Sequence, residues 1–493
     1  MTETPKHGVR AEMQALEPLD LTRCETVSDI VAGMSRCSFG ARMLGEAADT
    51  MTLWSAGLAK PVVVYDGSRD SALARRLAGM VVQGMCSRIV TPDEFVNDRD
   101  VPHGVNTIVV GAYPERIADA LHAKAGRVLF VNEYGMVRPG QVRDGHFPDV
   151  VFSDERFVMP VLARTVEERR GGRRFTIRGM AAELDQMGGL AHSFLHGTET
   201  LSRMVQDPQC TVFLTLSGAM TIAKMGLLMC DMIDRGMVQY IATTGALMAH
   251  GLVEGIGLSH YKYDPRFNDA VLASEKINRV TDTLEPEENF DHVEDVVREV
   301  LLSFNGAVTI SPSIFHREIG RYLAEQFPGK RAVLKSAFER NVPVCVPAFA
   351  DSEIGNDVYT ENRRRDRRDP GEGRRPLIMD MEHDTKLLLD MATGSERMGI
   401  FSIGGGVPRN NTQNVAPLIE ILNARLDLRL RPSQFFYGCR IDPTPLYYGN
   451  LSGCSYSEGS SWRKMDLRGR FSEIRADATI VWPFMLASLM QRG

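Results

Sequence analysis

The stretch Thr211-Val212-Phe213-Leu214-Thr215-Leu216-Ser217-Gly218-Ala219 indicates the fold class of this 493-residue chain. Its first six residues, rich in apolar and β-branched side chains, predict a buried strand, and the small residues after them predict a loop. Helical patterns flank this unit, over residues 177–204 before it and up to Arg235 after it. Because strands alternate with helices, we expect an α/β fold whose parallel sheet is covered by helices on both faces.

The same alternation extends along most of the chain. Helical patterns cover residues 27–51, 71–84 and 114–123, and apolar runs predict further strands at residues 61–68, 107–111, 127–131, 238–243, 307–310, 342–346, 398–403 and 434–437. A charged, glycine-containing stretch at residues 167–174 predicts a domain boundary. We therefore expect a mobile lead-in over residues 1–20, an N-terminal α/β domain over residues 21–165 and a larger α/β domain over residues 170–493.

The two predicted domains show a trace of internal repetition. Gly45, Gly84-Met85 and Thr91 precede Gly197, Gly236-Met237 and Thr243 by a constant 152 positions. A degenerate repeat would explain this spacing, although chance alignment of a few glycines in two helix–strand–helix units explains it equally well.

Composition excludes several classes of protein. A formal net charge of -6 and a pI near 6.1 argue against a general nucleic-acid binder. The chain contains no apolar run of the roughly 20 residues that span a bilayer, and its first residues lack the apolar core of a signal peptide. The eight cysteines are scattered without zinc-ligand spacing. We expect a cytoplasmic protein with no nucleic-acid or membrane partner, no metal and no disulfide.

One arginine-rich segment, residues 362–376, interrupts the alternating pattern. Its charge and its lack of apolar side chains predict an exposed loop. A solvated insertion is the simpler interpretation, and docking of an acidic partner is the alternative.

Small and polar residues follow four of the predicted strands, where open α/β sheets bind ligands. These loops are residues 217–219, 243–246, 350–356 and 404–411, the last containing Gly404-Gly405-Gly406. Glycine lets backbone N–H groups approach a phosphate, so a dinucleotide would fit, although no G-x-G-x-x-G motif is present. Asp351 could bind a ribose hydroxyl or, alternatively, cap the next helix.

A candidate for amine chemistry lies near the end of the chain, at Gly453-Cys454-Ser455-Tyr456-Ser457-Glu458-Gly459-Ser460-Ser461-Trp462-Arg463-Lys464-Met465. A lysine attacks a carbonyl or imine when its pKa is lowered, and a tryptophan face attracts alkylammonium groups. The alternative is an ordinary surface lysine beside a half-buried tryptophan.

Taken in order, these segments resemble deoxyhypusine synthase over residues from about 170 to 493. The resemblance is carried by Thr211-Val212-Phe213-Leu214 with Ser217-Gly218-Ala219, Gly236-Met237-Val238, Thr243-Thr244-Gly245, Ile277-Asn278-Arg279-Val280, Pro286-Glu287-Glu288-Asn289-Phe290, Pro343-Val344, Pro347-Ala348 with Asp351, the glycine triplet, Glu458 to Lys464, and Ala476-Asp477-Ala478. It implies the Rossmann-like NAD-binding fold that this family shares with sirtuins.

The resemblance also implies a reaction: NAD-dependent transfer of an aminobutyl group from spermidine or a related amine, through an imine of the active-site lysine, to an acceptor amine. Lys464 matches that lysine, Trp462 the tryptophan that packs on the polyamine, and Glu458 a carboxylate of the same motif. The positions that match NAD contacts are Ser217, Thr243, Thr244, Asp351, Gly405, Gly406, Asp477 and Ala478. Family members are tetramers with sites at subunit interfaces, so a homo-oligomer, by analogy a tetramer, is expected.

Departures from the family pattern affect mainly the polyamine site. Asn410 stands where the family usually has a histidine, and we count it among the catalytic candidates. Other family positions, mostly acidic, are replaced by Asn356, Tyr448, Leu451, Ala249-His250-Gly251 and, for a glycine, Lys224. The chain therefore looks like the divergent, bacterial-type deoxyhypusine-synthase-like branch.

Three hypotheses about the function remain open at this stage. The acceptor is a lysine of the hypusine-carrying translation factor, or it is a free diamine, as in homospermidine synthesis. Alternatively, the chain is a non-catalytic NAD-binding subunit that regulates a partner enzyme. An enzyme acting on amidines or ureas has no specific motif in its favour.

Overall fold

The computed structural model describes residues 9–68, 71–115, 118–133, 145–304, 309–367 and 375–491. Parts of four predicted segments lie outside these ranges: residues 1–8 of the lead-in, 116–117 of a predicted helix, 307–308 of a predicted strand and 368–374 of the arginine-rich segment.

The described residues form α-helices with these bounds: α1 Val9–Glu12, α2 Val27–Met34, α3 Phe39–Ala56, α4 Ala72–Val82, α5 Pro92–Asn97, α6 Ala118–Lys124, α7 Glu155–Arg169, α8 Ile177–Met187, α9 Gly189–Gln206, α10 Gly226–Asp234, α11 Gly245–Gly255, α12 Asp269–Ser274, α13 Glu287–Ser303, α14 Pro312–Gln326, α15 Val333–Glu339, α16 Glu353–Asp366, α17 Met381–Gly394, α18 Gly406–Gln413, α19 Val415–Leu426, α20 Tyr456–Ser461 and α21 Ala478–Met490. The strands are β1 Val62–Tyr65, β2 Arg88–Val90, β3 Val105–Val110, β4 Ala125–Val131, β5 Val150–Val151, β6 Cys210–Leu216, β7 Tyr240–Ala242, β8 Tyr261–Lys262, β9 Ile277–Val280, β10 Thr283–Pro286, β11 Thr309–Ile310, β12 Val344–Cys345, β13 Ile378–Met379, β14 Arg397–Ile403, β15 Phe435–Ile441 and β16 Met465–Ile474.

Two parallel sheets dominate the molecule, as the alternating pattern predicted. The N-terminal sheet has the strand order β2-β1-β3-β4-β5, and the C-terminal sheet has the order β12-β7-β6-β14-β15-β16. Their inner strands are buried on both faces, which is why they appear in the sequence as continuous apolar runs. A small antiparallel sheet, β8-β10-β9, and the pair β11-β13 accompany them.

One hydrophobic cluster lies between the two sheets and joins them. Successive side chains of a strand point to opposite faces. Val63 of β1 and Leu214 of β6 accordingly belong to the shared cluster, whereas Val62 and Phe213 belong to separate clusters on the outer faces. Both halves therefore bury one face of their sheet against the same core.

The charged stretch at residues 167–174 lies within this continuous packing. Helix α7 continues to Arg169, and Glu167 accepts a hydrogen bond from Arg164 at 2.9 Å. Phe175 and Ile177, which follow the stretch, belong to the shared cluster. The charges thus lie at a helix end.

The lead-in is packed where the structure describes it, over residues 9–20. The Leu16 N–H donates to the His260 carbonyl and the Leu19 N–H donates to the Lys224 carbonyl, both at 2.9 Å. Both leucines are buried. A mobile segment was expected because the apolar side chains that anchor it are isolated in the sequence and do not recur at helical or strand spacing.

The arginine-rich segment begins as helix, not as the exposed loop that was expected. Helix α16 extends to Asp366, and within it Arg365 is buried beside Glu361, with Nε and Oε1 3.1 Å apart. Arg365 also donates to the Leu301 carbonyl at 2.8 Å. The prediction was wrong because it relied on regularly spaced apolar residues, and the buried side chains here are a charged pair.

Two smaller differences concern element boundaries. The helical pattern over residues 177–204 is interrupted at Gly188, where α8 ends and α9 begins. No strand was predicted after Lys464, yet β16 begins at Met465 and forms the edge of the C-terminal sheet. Within the described ranges, no helix combines the length and the apolar character that crossing a membrane requires.

Candidate active site

The glycine triplet and the loop after β6 meet at the carboxyl ends of two neighbouring strands. Ser217 Oγ accepts a hydrogen bond from the Gly405 N–H at 3.1 Å. Gly404 has φ +72°, and a Cβ atom there would lie 2.0 Å from Ser217 Oγ. Position 404 therefore requires glycine, both for its backbone conformation and for its contact with Ser217.

The two threonines after β7 lie beside this loop. Thr244 caps α11 by accepting from the Leu247 N–H, and its hydroxyl donates to the Gly218 carbonyl at 3.2 Å. Thr243 Oγ1 is buried and has no hydrogen-bond partner among the described residues. A buried hydroxyl without a partner is costly unless a ligand or water satisfies it.

A pocket of about 560 Å³ opens in front of these strand ends. Four residues of the C-terminal domain that line it are Ser217, Gly404, Asp477 and Ala478. Asp477 caps α21 by accepting from the Thr479 N–H at 2.8 Å, and burial raises the pKa of its carboxyl group. Asp477 thus has a structural role in the absence of any ligand.

Asp351 lies apart from this pocket. It follows the edge strand β12 and lines a separate cavity of about 530 Å³ with Tyr359 and Met381. The cap of the following helix, α16, is Ser352, which accepts from the Gly355 N–H at 3.0 Å. The helix-capping role considered for Asp351 therefore belongs to its neighbour.

The residues present fit a dinucleotide at this edge of the sheet. Gly404 and Gly406 have positive φ values of 72° and 60°, respectively, and Gly406 begins α18. Backbone N–H groups at a helix start favour a phosphate. The Thr243 hydroxyl and Asp442 Oδ2 are buried without hydrogen-bond partners in the described structure, so polar ligand groups can pair with them.

Lys464 is a buried amine with a defined environment. Its Nζ donates to Asn410 Oδ1 at 2.9 Å and lies 5.7 Å from the ring centroid of Trp462, which is within cation–π range. Burial lowers the pKa of the Lys464 ammonium, Cys454 and Glu458 oppose this shift, and Arg409 adds to it. A lowered pKa increases the fraction of neutral amine, which is the nucleophilic form.

A left-handed residue brings Trp462 and Lys464 together. Helix α20 ends at Ser461, and Arg463 follows with φ +57°. The Arg463 N–H donates to the Ser460 carbonyl at 2.9 Å, and the Lys464 N–H donates to the Gly459 carbonyl at 3.0 Å. This hydrogen-bond pattern closes the helix and turns the chain directly into β16.

Helix α18 connects the lysine to the glycine triplet. It begins at Gly406, and Asn410, which accepts from Lys464, lies one turn further along. Four residues of α-helix span about 6 Å, so the backbone of Asn410, whose side chain holds the amine, lies about one turn from Gly406. This proximity is the main geometric feature of the candidate site.

The remaining catalytic candidate, Glu458, is exposed in the first turn of α20. Two residues near Lys464 were not singled out as site residues from the sequence, Cys454 and Arg409. Arg409 is buried above the Tyr456 ring at 5.1 Å, and burial lowers the pKa of its guanidinium. Its position just after the glycine triplet was the signal that could have identified it.

A separate buried cluster contains His250, His260 and Glu285, whose side-chain atoms are close enough to bind a metal ion. His260 Nε2 lies 2.6 Å from Glu285, while Lys224 Nζ lies 2.9 Å from His260 Nδ1 and 2.8 Å from Glu254. Lys224 supplies a buried positive charge beside Glu254, and, against the lowering effect of burial, hydrogen bonds to Glu254 and Glu285 raise the pKa of the His260 imidazole. Lys224 has φ +70°, a left-handed backbone conformation that favours glycine.

Known proteins match the C-terminal part of this chain. The family model described as deoxyhypusine synthase matches residues 179–489. A protein of Archaeoglobus fulgidus described as "Probable deoxyhypusine synthase 1" is 30% identical over 283 residues, which are 57% of this chain and 83% of that protein. A "Probable deoxyhypusine synthase 1" of Methanosarcina mazei is 31% identical over 289 residues, covering 59% and 83%.

A third relative, the "Deoxyhypusine synthase-like protein" of Coxiella burnetii strain Dugway, is 27% identical over 322 residues, which are 65% of this chain and 87% of that protein. The family model begins at residue 179, so the N-terminal sheet lies outside its match. The matched part contains both the loops of the pocket and the lysine. The chain belongs to the deoxyhypusine synthase family.

Proposed function

We propose that this protein is an NAD-dependent aminobutyl transferase that uses Lys464 as its nucleophile. The observation that carries the proposal is the buried Lys464 amine beside Trp462, held by Asn410, which lies one helical turn after Gly406. NAD, when bound, would accept a hydride from the donor amine and would return that hydride at the end of the reaction. The site residues are Lys464, Trp462, Glu458 and Asn410.

In the proposed reaction, loss of hydride and a proton converts the secondary amine of spermidine to an imine. The neutral Lys464 amine attacks the imine carbon, and the carbon–nitrogen bond to diaminopropane breaks as that nitrogen takes a proton. The aminobutyl group is then bound to Lys464 as an imine. An acceptor amine displaces Lys464 in the same way, and a hydride and a proton added to the resulting imine complete the transfer.

The cofactor would bind at the strand ends of the C-terminal sheet. We assign its contacts to Ser217, Thr243, Thr244, Gly405, Gly406, Asp477 and Ala478, which lie in or beside the pocket. Asp351 remains a proposed contact, at the far side of the loops. The unpartnered Thr243 hydroxyl and the left-handed glycines support this assignment.

Borohydride trapping tests the proposal directly. The full chain, incubated with NAD and spermidine, should give a reduced adduct that adds the aminobutyl mass to the peptide containing Lys464. Lys464→Ala should give none. Lys386→Ala, which removes an exposed lysine on α17 outside the site, is the matched control and should still form the adduct.

The amine panel should include diamines, since the acidic groups of the family's polyamine site are replaced here. Absence of an adduct at Lys464 with every amine tested would contradict the enzymatic proposal. It would favour the alternative of an NAD-binding regulatory subunit, which lacks turnover. A free diamine accepted in place of a protein lysine would identify the homospermidine type of transfer.

A further inference from the structure

The two parallel sheets have the same topology. In chain order, the first half contributes β1 to β5, and the second half contributes β6, β7, β14, β15 and β16. Each sheet arranges its strands in the order second, first, third, fourth, fifth, and the second half adds only β12 outside β7. The repetition suggested by a few residues in the sequence is therefore also present in the order of the strands, although the spacing of equivalent strands varies along the chain.

Backbone details match at equivalent points. After α4 and α10, the helices that precede the second strand of each half, Gly84 and Gly236 have φ values of 66° and 69°, respectively. Equivalent hydrogen bonds join the strand ends: Gly111 N–H to Val131 O and Gly404 N–H to Ile441 O, both at 2.8 Å, then Asn132 N–H to Val151 O at 3.2 Å and Asp442 N–H to Ile474 O at 3.0 Å. These pairs align Ser153-Asp154 with Ala476-Asp477.

The last helix of each half begins in the same way. Asp154 caps α7 and Asp477 caps α21, each by accepting from the N–H two residues later. Each helix contains a proline six residues after its cap, Pro160 and Pro483. An aspartate cap followed by a proline at the same distance is a specific feature, because proline inside a helix is costly.

The halves contact each other in a crossed, reciprocal manner. The Leu190 N–H, at the start of α9, donates to Asp154 Oδ2 of the first half at 2.9 Å. The Ala41 N–H, at the start of α3, donates to Thr479 Oγ1 of the second half at 3.0 Å. In each half, the start of the helix before the first strand, α3 or α9, therefore contacts the start of the other half's last helix, α21 or α7. A local two-fold axis requires such reciprocal contacts.

The pocket in front of the glycine triplet is lined by both halves. From the N-terminal half it takes Glu133, Phe152, Ser153 and Asp154, which follow the ends of β4 and β5. Ser153 Oγ is buried and has no hydrogen-bond partner among the described residues. A buried hydroxyl that lines a pocket and lacks a protein partner indicates a ligand contact.

We propose that residues 21–165 are a degenerate copy of the C-terminal half, related to it by a local two-fold axis, and that Ser153 and Glu133 bind the nucleotide opposite the glycine triplet. This inference rests on the proposed NAD site and adds Ser153 and Glu133, on its N-terminal side, to the residues that contact the nucleotide. The copy has lost its own lysine, because residues 132–149, which connect its fourth and fifth strands, contain neither lysine nor tryptophan.

The Ser153 and Glu133 side chains can form hydrogen bonds with the hydroxyl groups of a nucleotide ribose. The Ser153 hydroxyl both donates and accepts, and the Glu133 carboxyl accepts or, when protonated, donates. Burial and the neighbouring Asp154 raise the pKa of Glu133. The phosphates would then lie on the glycine side and the ribose hydroxyls on the N-terminal side.

Calorimetric titration of the full chain with NAD tests the inference. Ser153→Ala removes one unpartnered hydroxyl, so the unliganded protein should keep its thermal stability while NAD binds about 3- to 10-fold more weakly, as expected for one lost hydrogen bond. Glu133→Gln should also weaken binding. Ser87→Ala, in the same half but at the amino end of β2, is the matched control and should bind as the wild type.

A second variant separates this inference from the proposed function. Gly404→Ala places a Cβ against Ser217 and should abolish NAD binding in the C-terminal half. Wild-type affinity in both Ser153→Ala and Glu133→Gln, together with loss in Gly404→Ala, would overturn the role of the N-terminal half and leave the cofactor site standing. Failure of the wild-type chain to bind NAD would overturn both.

Discussion

Asn410 determines the charge environment of the candidate nucleophile. An amide oxygen accepts a hydrogen bond from Lys464 without adding a negative charge, whereas a carboxylate at the same distance would stabilise the ammonium. Burial therefore remains the main influence on the Lys464 pKa, which it lowers. A neutral partner keeps more of the lysine in its reactive form.

Asn410→Asp should reverse this effect. A carboxylate within hydrogen-bond distance should raise the Lys464 pKa by about 1 to 3 pH units, so the neutral amine forms only at higher pH. At a pH below both pKa values, the variant should form the adduct about tenfold more slowly for each pH unit by which its lysine pKa exceeds that of the wild type. The measurement is the rate of borohydride-trapped adduct formation against pH.

The control for this experiment is Asn411→Asp, which adds the same charge at the next position of α18. Its pH profile should remain close to that of the wild type, because it lacks the hydrogen bond to Lys464. Identical profiles for both variants and the wild type would show that Asn410 does not govern the lysine.

At the scale of elements, the turn from α20 into β16 positions the site. Arg463 adopts φ +57° at the position after the helix end where glycine is most favourable. Its guanidinium pairs with Glu420 at 2.9 Å on the surface, an interaction that contributes little to stability. The left-handed backbone is therefore a local cost.

Arg463→Gly should relieve that cost. Compared with Arg463→Ala, which loses the same ion pair but keeps a Cβ, the glycine variant should be more stable by about 1 kcal/mol. Urea unfolding of the two variants measures this difference. An alanine variant as stable as the glycine variant would show that the turn is not strained.

The sequence predicted some of these elements better than others. Strands buried on both faces, such as β6 and β14, are continuous apolar runs and were predicted near their observed positions. β16 was not, because it is an edge strand containing Arg468, Gly469 and Arg470. The contact between Asn410 and Lys464 joins residues 54 positions apart, which no local pattern encodes.

At the scale of the whole molecule, each chain contains two similar α/β halves around one shared core. The family resemblance implied a tetramer, that is, an assembly of four α/β units. Two copies of this chain already supply four. The internal pairing of the halves would thus replace one of the subunit contacts of such a tetramer.

We therefore expect a homodimer. Light scattering on the purified full chain should give a mass of twice the 54.8 kDa chain. Because the internal pairing of the halves would take the place of one subunit contact, association beyond the dimer is not expected. A stable tetramer would contradict this reasoning and show that the N-terminal half leaves the assembly surfaces free.

The crossed helix contacts also determine when parts of the chain can fold during synthesis. Helix α3 forms early in the chain, but its partner Thr479 follows Ala41 by 438 positions. At about 5 to 20 residues per second, translation takes roughly 20 to 90 s to reach that partner. The contact between α3 and α21 must wait for that time, so the N-terminal half completes this part of its packing only after α21 has been synthesised.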